Sequence, residues 1–347
     1  YYSLKQQSKS LQRLYFLALQ RFYFLKLSKT GLYISMYHYT RDIVHSRYPQ
    51  IKGLDTNLFR QQIEYMKNNF NIVTMEQVID AVEGKSELSE KALLLTFDDG
   101  YIDNYTFAFP ILEEFGIQGS FFIPGKTFTT HQLLDVNKIH YILASADICK
   151  LVEDVKKEMD YYRGIEFDYA PTDDLFNEYA VESRFDIKET IFVKRMLQTV
   201  LPERLRNTIS SNLFEKYVGV SEEQLAYELY MTEEQIRTMK RHGMFIGLHG
   251  YDHYWLGKLP KEQMKKDLDK ALDTLDEFID RKHWVMNYPY GSYNQDVLDY
   301  IKMKGACVGF TTEVKIADIC MDAALELPRL DCNDFPPKSE NYKLYDI

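Results

Sequence analysis

Continuous apolar runs and helix-spaced apolar stripes take turns along this chain, with one long interruption. Residues 31–40 read as a first strand ending in polar positions. Residues 57–70 form an amphipathic stripe with Phe59, Ile63, Met66 and Phe70 on one helical face. A short strand and a second helix fit 71–84. The segment 92–97 is apolar almost throughout and closes on Asp98-Asp99-Gly100, the pattern of a strand buried on both faces. Helical spacing returns around Ile111, Leu112 and Phe115, and 116–125 is a strand held between glycines. From 131 to 242 strand signals nearly vanish, and 131–144, 147–162, 188–201, 202–218 and 232–243 all read as helices. The alternation then resumes with strands at 244–250, 284–291, 306–312 and 325–332, and helices at 261–279 and 294–305.

Such alternation predicts a mostly parallel sheet or barrel whose chemistry sits at the C-terminal ends of its strands. The expected organisation is an α/β barrel built from 31–130 and 243–347, with a helical insertion over 131–242. Residues 1–30 stand apart, carrying Lys5, Lys9, Arg13, Arg21, Lys26 and Lys29 and no acid. Their apolar stretch is broken by Gln20-Arg21, is too short to span a bilayer and lacks the small-residue cleavage site of a signal peptide. A basic N-terminal helix is expected, either in peripheral contact with a membrane or a partner or packed on the chain itself. On this reading the protein is cytoplasmic or membrane-peripheral.

Composition narrows the classes further. Hydrophobic residues make up 45% and charged residues 27% of 347, a globular balance with ample core. A net charge of -10 argues against a general nucleic-acid partner, which needs a basic surface. Cys149, Cys307, Cys320 and Cys332 lack metal-like spacing and read as buried free thiols.

The chemistry concentrates in three strand-end loops. Adjacent carboxylates such as Asp98 and Asp99 repel each other unless a cation lies near. Asp-Gly is a common turn, yet a helix and not a partner strand follows. In "HGYDH", His249 and His253 stand four apart just after a strand; on a helix or tight turn both imidazoles reach one side. One carboxylate with two imidazoles makes a three-ligand metal site with open positions for water, leaving the other carboxylate free as general base. In "NYPYGSYN", Pro289 stiffens a turn that Gly291 frees, so a backbone N–H can point into the site as an oxyanion donor.

In that order, "TFDDG", "HGYDH" and "YPYG" resemble the leading motifs of the polysaccharide deacetylase family (NodB homology domain, carbohydrate esterase family 4). The resemblance covers 31–130 and 240–335. It implies a distorted (β/α) barrel of the NodB type with a large helical insertion, a divalent metal, usually Zn2+, and removal of an acetyl group from an N-acetylated or, less often, an O-acetylated sugar. Carried over by position, it implies Asp98 as base, Asp99, His249 and His253 as metal ligands, and the backbone N–H of Tyr290 as oxyanion donor. The implied partner is an acetylated glycan of the cell surface.

Two positions leave the family pattern. Asn287 stands where many members carry an arginine that orients the base. Arg329 stands where they carry a histidine as general acid, and a guanidinium cannot donate its proton at working pH. Arg329 is instead expected to pair with Asp98, and His38, at the end of the first strand, is the candidate acid. The alternative for His38 is a structural or substrate contact. Tyr101 and Trp255 are candidate sugar-stacking rings, with plain core packing the alternative for Trp255, whereas His140 and His283 read as structural. The competing reading for the whole chain is a catalytically inactive NodB-like module that binds carbohydrate or assembles with other proteins. A metal hydrolase with another amide or ester substrate shares the same residues.

Overall fold

The computed structural model describes residues 31–345; the segment expected to form the basic N-terminal helix lies outside them. Seven strands define the core: β1 (Gly31–Tyr37), β2 (Ala92–Phe97), β3 (Ser120–Ile123), β4 (Phe245–Leu248), β5 (Trp284–Asn287), β6 (Ala306–Phe310) and β7 (Leu330–Asp331). Neighbours pair in parallel from β1 through β6 in chain order, with β1 and β2 in register from Leu32 opposite Ala92 to Tyr37 opposite Phe97. The sheet then closes on itself. Leu327 bridges Phe310 at the end of β6, and three residues further on Leu330 and Asp331 pair with Ser35 and Met36 of β1. A distorted (β/α) barrel results.

β2, β3 and β5 are buried on both faces, which is why they read as near-continuous apolar runs. Leu32, Ile34, Ala92, Leu94, Phe122, Val285, Val308, Phe310 and Leu327 pack into one cluster, plugged by Val78 and Ile79 of the helix Met75–Val82. Each such side chain contributes roughly 1.5–3 kcal/mol by leaving water. The two-residue repeat that buries Ala92 and Leu94 also directs Thr96 and Asp98 to the same face. Gly247 in β4 lets the Phe122 ring lie against the backbone, where a Cβ would collide with it.

Among the described residues the insertion is helical: Asp135–Ser145, Ile148–Tyr162, Thr172–Tyr179, Lys188–Arg195, Glu203–Tyr217 and Glu222–Leu229. It has a core of its own, with Ile139, Leu151, Phe192, Ile209 and Leu213 fully or almost fully buried. The helix Glu233–Arg241 was expected to close the insertion. It packs instead on the barrel, where Ile236 and Met239 join the outer core, so it serves as the crossover into β4. The helix expected over 261–279 stops at Thr274. No helix among the described residues is long and apolar enough to cross a membrane.

Candidate active site

All seven parallel strands end at one mouth, and the chemistry follows the last residue of several. His38 comes directly after β1, Asp98 after β2 and His249 after β4, while Asn287 ends β5. Asp98 still belongs to the ladder, its N–H donating to Tyr37 O at 2.9 Å. Asp99 and Gly100 then take left-handed conformations, with φ of 73° and 68°. That turn sends the two adjacent carboxylates in different directions, which removes the conflict between them.

Asp98 meets a guanidinium. Arg329, 1% exposed, donates from Nη1 to Asp98 Oδ1 at 2.9 Å and from Nη2 to Oδ2 at 2.8 Å. Its other bonds go to Thr96 Oγ1, Asn287 Oδ1 and Thr311 O, so all five N–H groups are engaged. Asn287 Nδ2 donates to Asp98 Oδ1 at 2.5 Å. Burial pushes the Asp98 carboxyl up, but the charge and hydrogen bonds of Arg329 outweigh it and hold the group below its ordinary range. It is an ionised acceptor at neutral pH. His38 Nε2 lies 3.8 Å from Asp98 Oδ2, with its side chain 40% exposed.

Asp99 faces two imidazoles. Its Oδ1 lies 3.3 Å from His249 Nε2 and 3.2 Å from His253 Nε2, and its Oδ2 accepts the Tyr101 hydroxyl proton at 2.7 Å. His249 Nδ1 sits 2.7 Å from Asn287 O. A carbonyl only accepts, so Nδ1 carries a hydrogen, which fixes the ring with Nε2 towards Asp99. Burial lowers the proton affinity of His253, although Asp99 pulls it the other way. Asp99 Oδ1 has no hydrogen-bond partner, and the three ligand atoms lie within 4.8 Å of one another. Buried acceptors converging without a donor are costly unless a cation sits among them. This donor set fits a divalent metal.

The spacing of four is realised in a loop, with Gly250 and His253 at φ of 69° and 59°, not on a helix. Asp267 fastens the loop from beneath, accepting the backbone N–H groups of Tyr251 and Asp252 at 3.0 and 2.8 Å. Burial lifts that carboxyl to about 6 despite those bonds. Tyr290, at φ 58°, places its ring edge-on to His253 with centroids 4.7 Å apart, and stacks on Trp255 at 4.5 Å. Gly291 follows at φ 64°, and a Cβ there would strike Thr312.

The described sequence candidates therefore gather at one mouth, with one change of part. Tyr101 offers no face to a sugar. It is fully buried, stacked on Tyr39 at 4.1 Å with Tyr230 beyond, and its hydroxyl is committed to Asp99. His140 is half-buried against Tyr39, and loss of hydration drops it to about 3; His283 pairs with Glu83 at the surface. Beside His253 opens a cleft of about 410 Å³, walled on one side by Trp255 and Tyr290 and on the other by Asp135, Leu197 and Arg206 of the insertion. Asn137, Tyr39, Tyr230 and Asp267 support the site and were not among the sequence candidates.

Residues 85–308 match the sequence profile described as polysaccharide deacetylase. The chain belongs to that family. Among polysaccharide deacetylase relatives, YxkH of Bacillus subtilis (strain 168), named for the same family, is 25% identical over 191 residues, 55% of this chain and 59% of that protein. The poly-beta-1,6-N-acetyl-D-glucosamine N-deacetylase of Escherichia coli (strain K12) is 35% identical over 83 residues, 24% of this chain and 12% of that one. The matches thus span less than two thirds of either relative. Two solved structures share the fold. Streptococcus pyogenes deacetylase PplD in complex with acetate has a TM-score of 0.55 at 19% identity, covering 91% of this chain and 97% of its own. IcaB from Ammonifex degensii has a TM-score of 0.54 at 19% identity, covering 90% and 95%.

Proposed function

We propose that this deacetylase-family chain is a metal-dependent hydrolase that removes the acetyl group from an N-acetylated sugar of a cell-surface polysaccharide or its precursor. The observation that carries the reading is the division of labour at Asp98-Asp99: one carboxylate in an arginine fork, the other facing two imidazole nitrogens at 3.2–3.3 Å. Asp99, His249 and His253 would hold the metal, and one carboxylate with two imidazole nitrogens suits Zn2+. When bound, the ion polarises the acetyl carbonyl and acidifies water.

The chain supplies the rest. Asp98, ionised and fixed by Arg329 and Asn287, takes a proton from water as its oxygen adds to the amide carbon. The backbone N–H of Tyr290 is the donor proposed for the developing oxyanion. His38 passes a proton to the leaving nitrogen as the C–N bond breaks, giving acetate and a free amine. The cleft along Trp255 and Tyr290 is the place proposed for neighbouring sugars, whose rings stack on aromatic faces.

Metal analysis and acetate release from β-1,6-linked N-acetylglucosamine oligomers test this together; the Escherichia coli relative's name selects that substrate as the first to try. We expect one zinc per chain in the wild type, and His249→Ala or His253→Ala to lose stoichiometric metal and activity together. Full metal content in both variants rejects the ligand assignment. His38→Ala should slow amide substrates at least tenfold more than activated acetate esters, whose leaving groups need no proton. Equal losses on the two substrate types would remove His38 from the acid role.

A further inference from the structure

The insertion does more than wall a cleft. Tyr101 Oη donates its single proton to Asp99 Oδ2 and must therefore accept whatever else it meets. It meets Asn137 Nδ2, at 2.6 Å, from the first insertion helix. The second proton of that amide goes to Tyr39 Oη at 2.8 Å. Its oxygen accepts the hydroxyl proton of Tyr230, whose own oxygen takes the backbone N–H of Leu134 at 3.0 Å. Every donor and acceptor in this chain points one way, from Leu134 through Tyr230, Asn137 and Tyr101 to Asp99.

None of these groups reaches water. Asn137 and Tyr101 are 0% exposed, Tyr230 1% and Tyr39 3%. With its amide reversed, Asn137 would offer Tyr101 an oxygen, and the single phenolic proton would have two claimants. Asp99 Oδ2 would lose its partner, and the carboxylate would be free to rotate Oδ1 away from His249 and His253. Two backbone links brace the same junction. Tyr230 bridges Tyr101, and Met231 N–H donates to Gly100 O at 3.1 Å.

We infer that Asn137 is a positioning residue for the metal ligand: through Tyr101 it fixes the Asp99 carboxylate with Oδ1 turned to the imidazoles, so the helical insertion is part of the metal site. The inference rests on Asp99, His249 and His253 being the ligands. Hydrogen bonds to a ligating carboxylate set its orientation, and their loss weakens metal binding by roughly 10–100-fold.

The test is a cycle of zinc affinities measured against a competing chelator, using Asn137→Leu, Tyr101→Phe and the double variant. The melting temperature of each metal-stripped protein serves as a check on folding. Tyr101→Phe should weaken zinc by roughly 10–100-fold and Asn137→Leu by roughly tenfold. The double variant should be no weaker than Tyr101→Phe alone, because Asn137 acts through the hydroxyl already removed. Tyr230→Phe, which removes the hydroxyl that holds the amide oxygen and takes the Leu134 N–H, should shift affinity in the same direction and keeps the test open if Asn137→Leu does not fold. Folded single variants with unchanged affinity, or an Asn137→Leu loss that adds in full to that of Tyr101→Phe, overturn the inference while leaving the ligands in place. A wild-type chain that binds no zinc overturns the ligand assignment and this inference with it.

Discussion

Asp98→Asn should slow acetate release by about 10²–10⁴-fold while zinc content stays at the wild-type level. The amide has no basic oxygen to take the proton of the attacking water. Shape is kept, but the hydrogen-bonding fit is not. Arg329 presents two donors to Asp98 and Asn287 Nδ2 presents a third, so an amide NH2 at this position meets a donor whichever way it turns. A modest loss of stability is expected beside the loss of rate. Metal should persist because the left-handed turn at Asp99 separates its carboxylate from that of Asp98. Turnover within a few-fold of wild type would show that the base lies elsewhere.

Arg329→Met should destabilise the fold by about 3–5 kcal/mol, the usual cost of leaving one member of a buried pair without its partner. The substitution strands an ionised Asp98 that is itself only 2% exposed. It also frees acceptors on three other segments, since Arg329 ties the barrel-closing segment to Thr96 and Asp98 at the end of β2, Asn287 at the end of β5 and Thr311 after β6. Arg329→Lys keeps the charge but has three donors on one atom and cannot reproduce the fork. It should lie between wild type and Arg329→Met in stability and lose most activity through a misaligned Asp98. Denaturant midpoints measure the first effect and acetate release the second. A midpoint unchanged in Arg329→Met would mean that the pair does not hold the mouth together.

Much of the fold was legible because parallel strands buried on both faces leave unbroken apolar runs, and 92–97 could hardly be anything else. Barrel closure was less so. Pro328 lacks an N–H, and only Leu330 and Asp331 of the closing segment form a regular ladder with β1. At the site, the Asp-Asp and His-x-x-x-His spacings spoke plainly because few other arrangements use them. Tyr101 was misread because adjacency to a ligand says nothing about which way a ring turns, and here it turns inward. Asn137 and Asp267 did leave a trace. Each is a polar residue on the buried face of an otherwise apolar stripe, Asn137 between Leu134 and Tyr141, Asp267 between Met264 and Ala271. A polar group there must have partners, but sequence alone does not name partners that lie on another element.

Asp99, His253 and Tyr290 share a feature beyond the mouth they line: each non-glycine backbone is left-handed, at φ of 73°, 59° and 58°. Such conformations cost about 1–3 kcal/mol apiece, and glycine would relieve them. Glycine has no carboxylate, imidazole or ring, so relaxing Asp99 or His253 gives up a proposed metal ligand, and relaxing Tyr290 keeps the proposed N–H donor but gives up the ring stacked on Trp255. Heat resistance and chemistry therefore compete for the same three positions. A hardier version of this chain would have to be sought in other places with the same backbone, such as Lys91 at the far end of β2 or His131 at the entry to the insertion. Neither is among the residues proposed for the reaction.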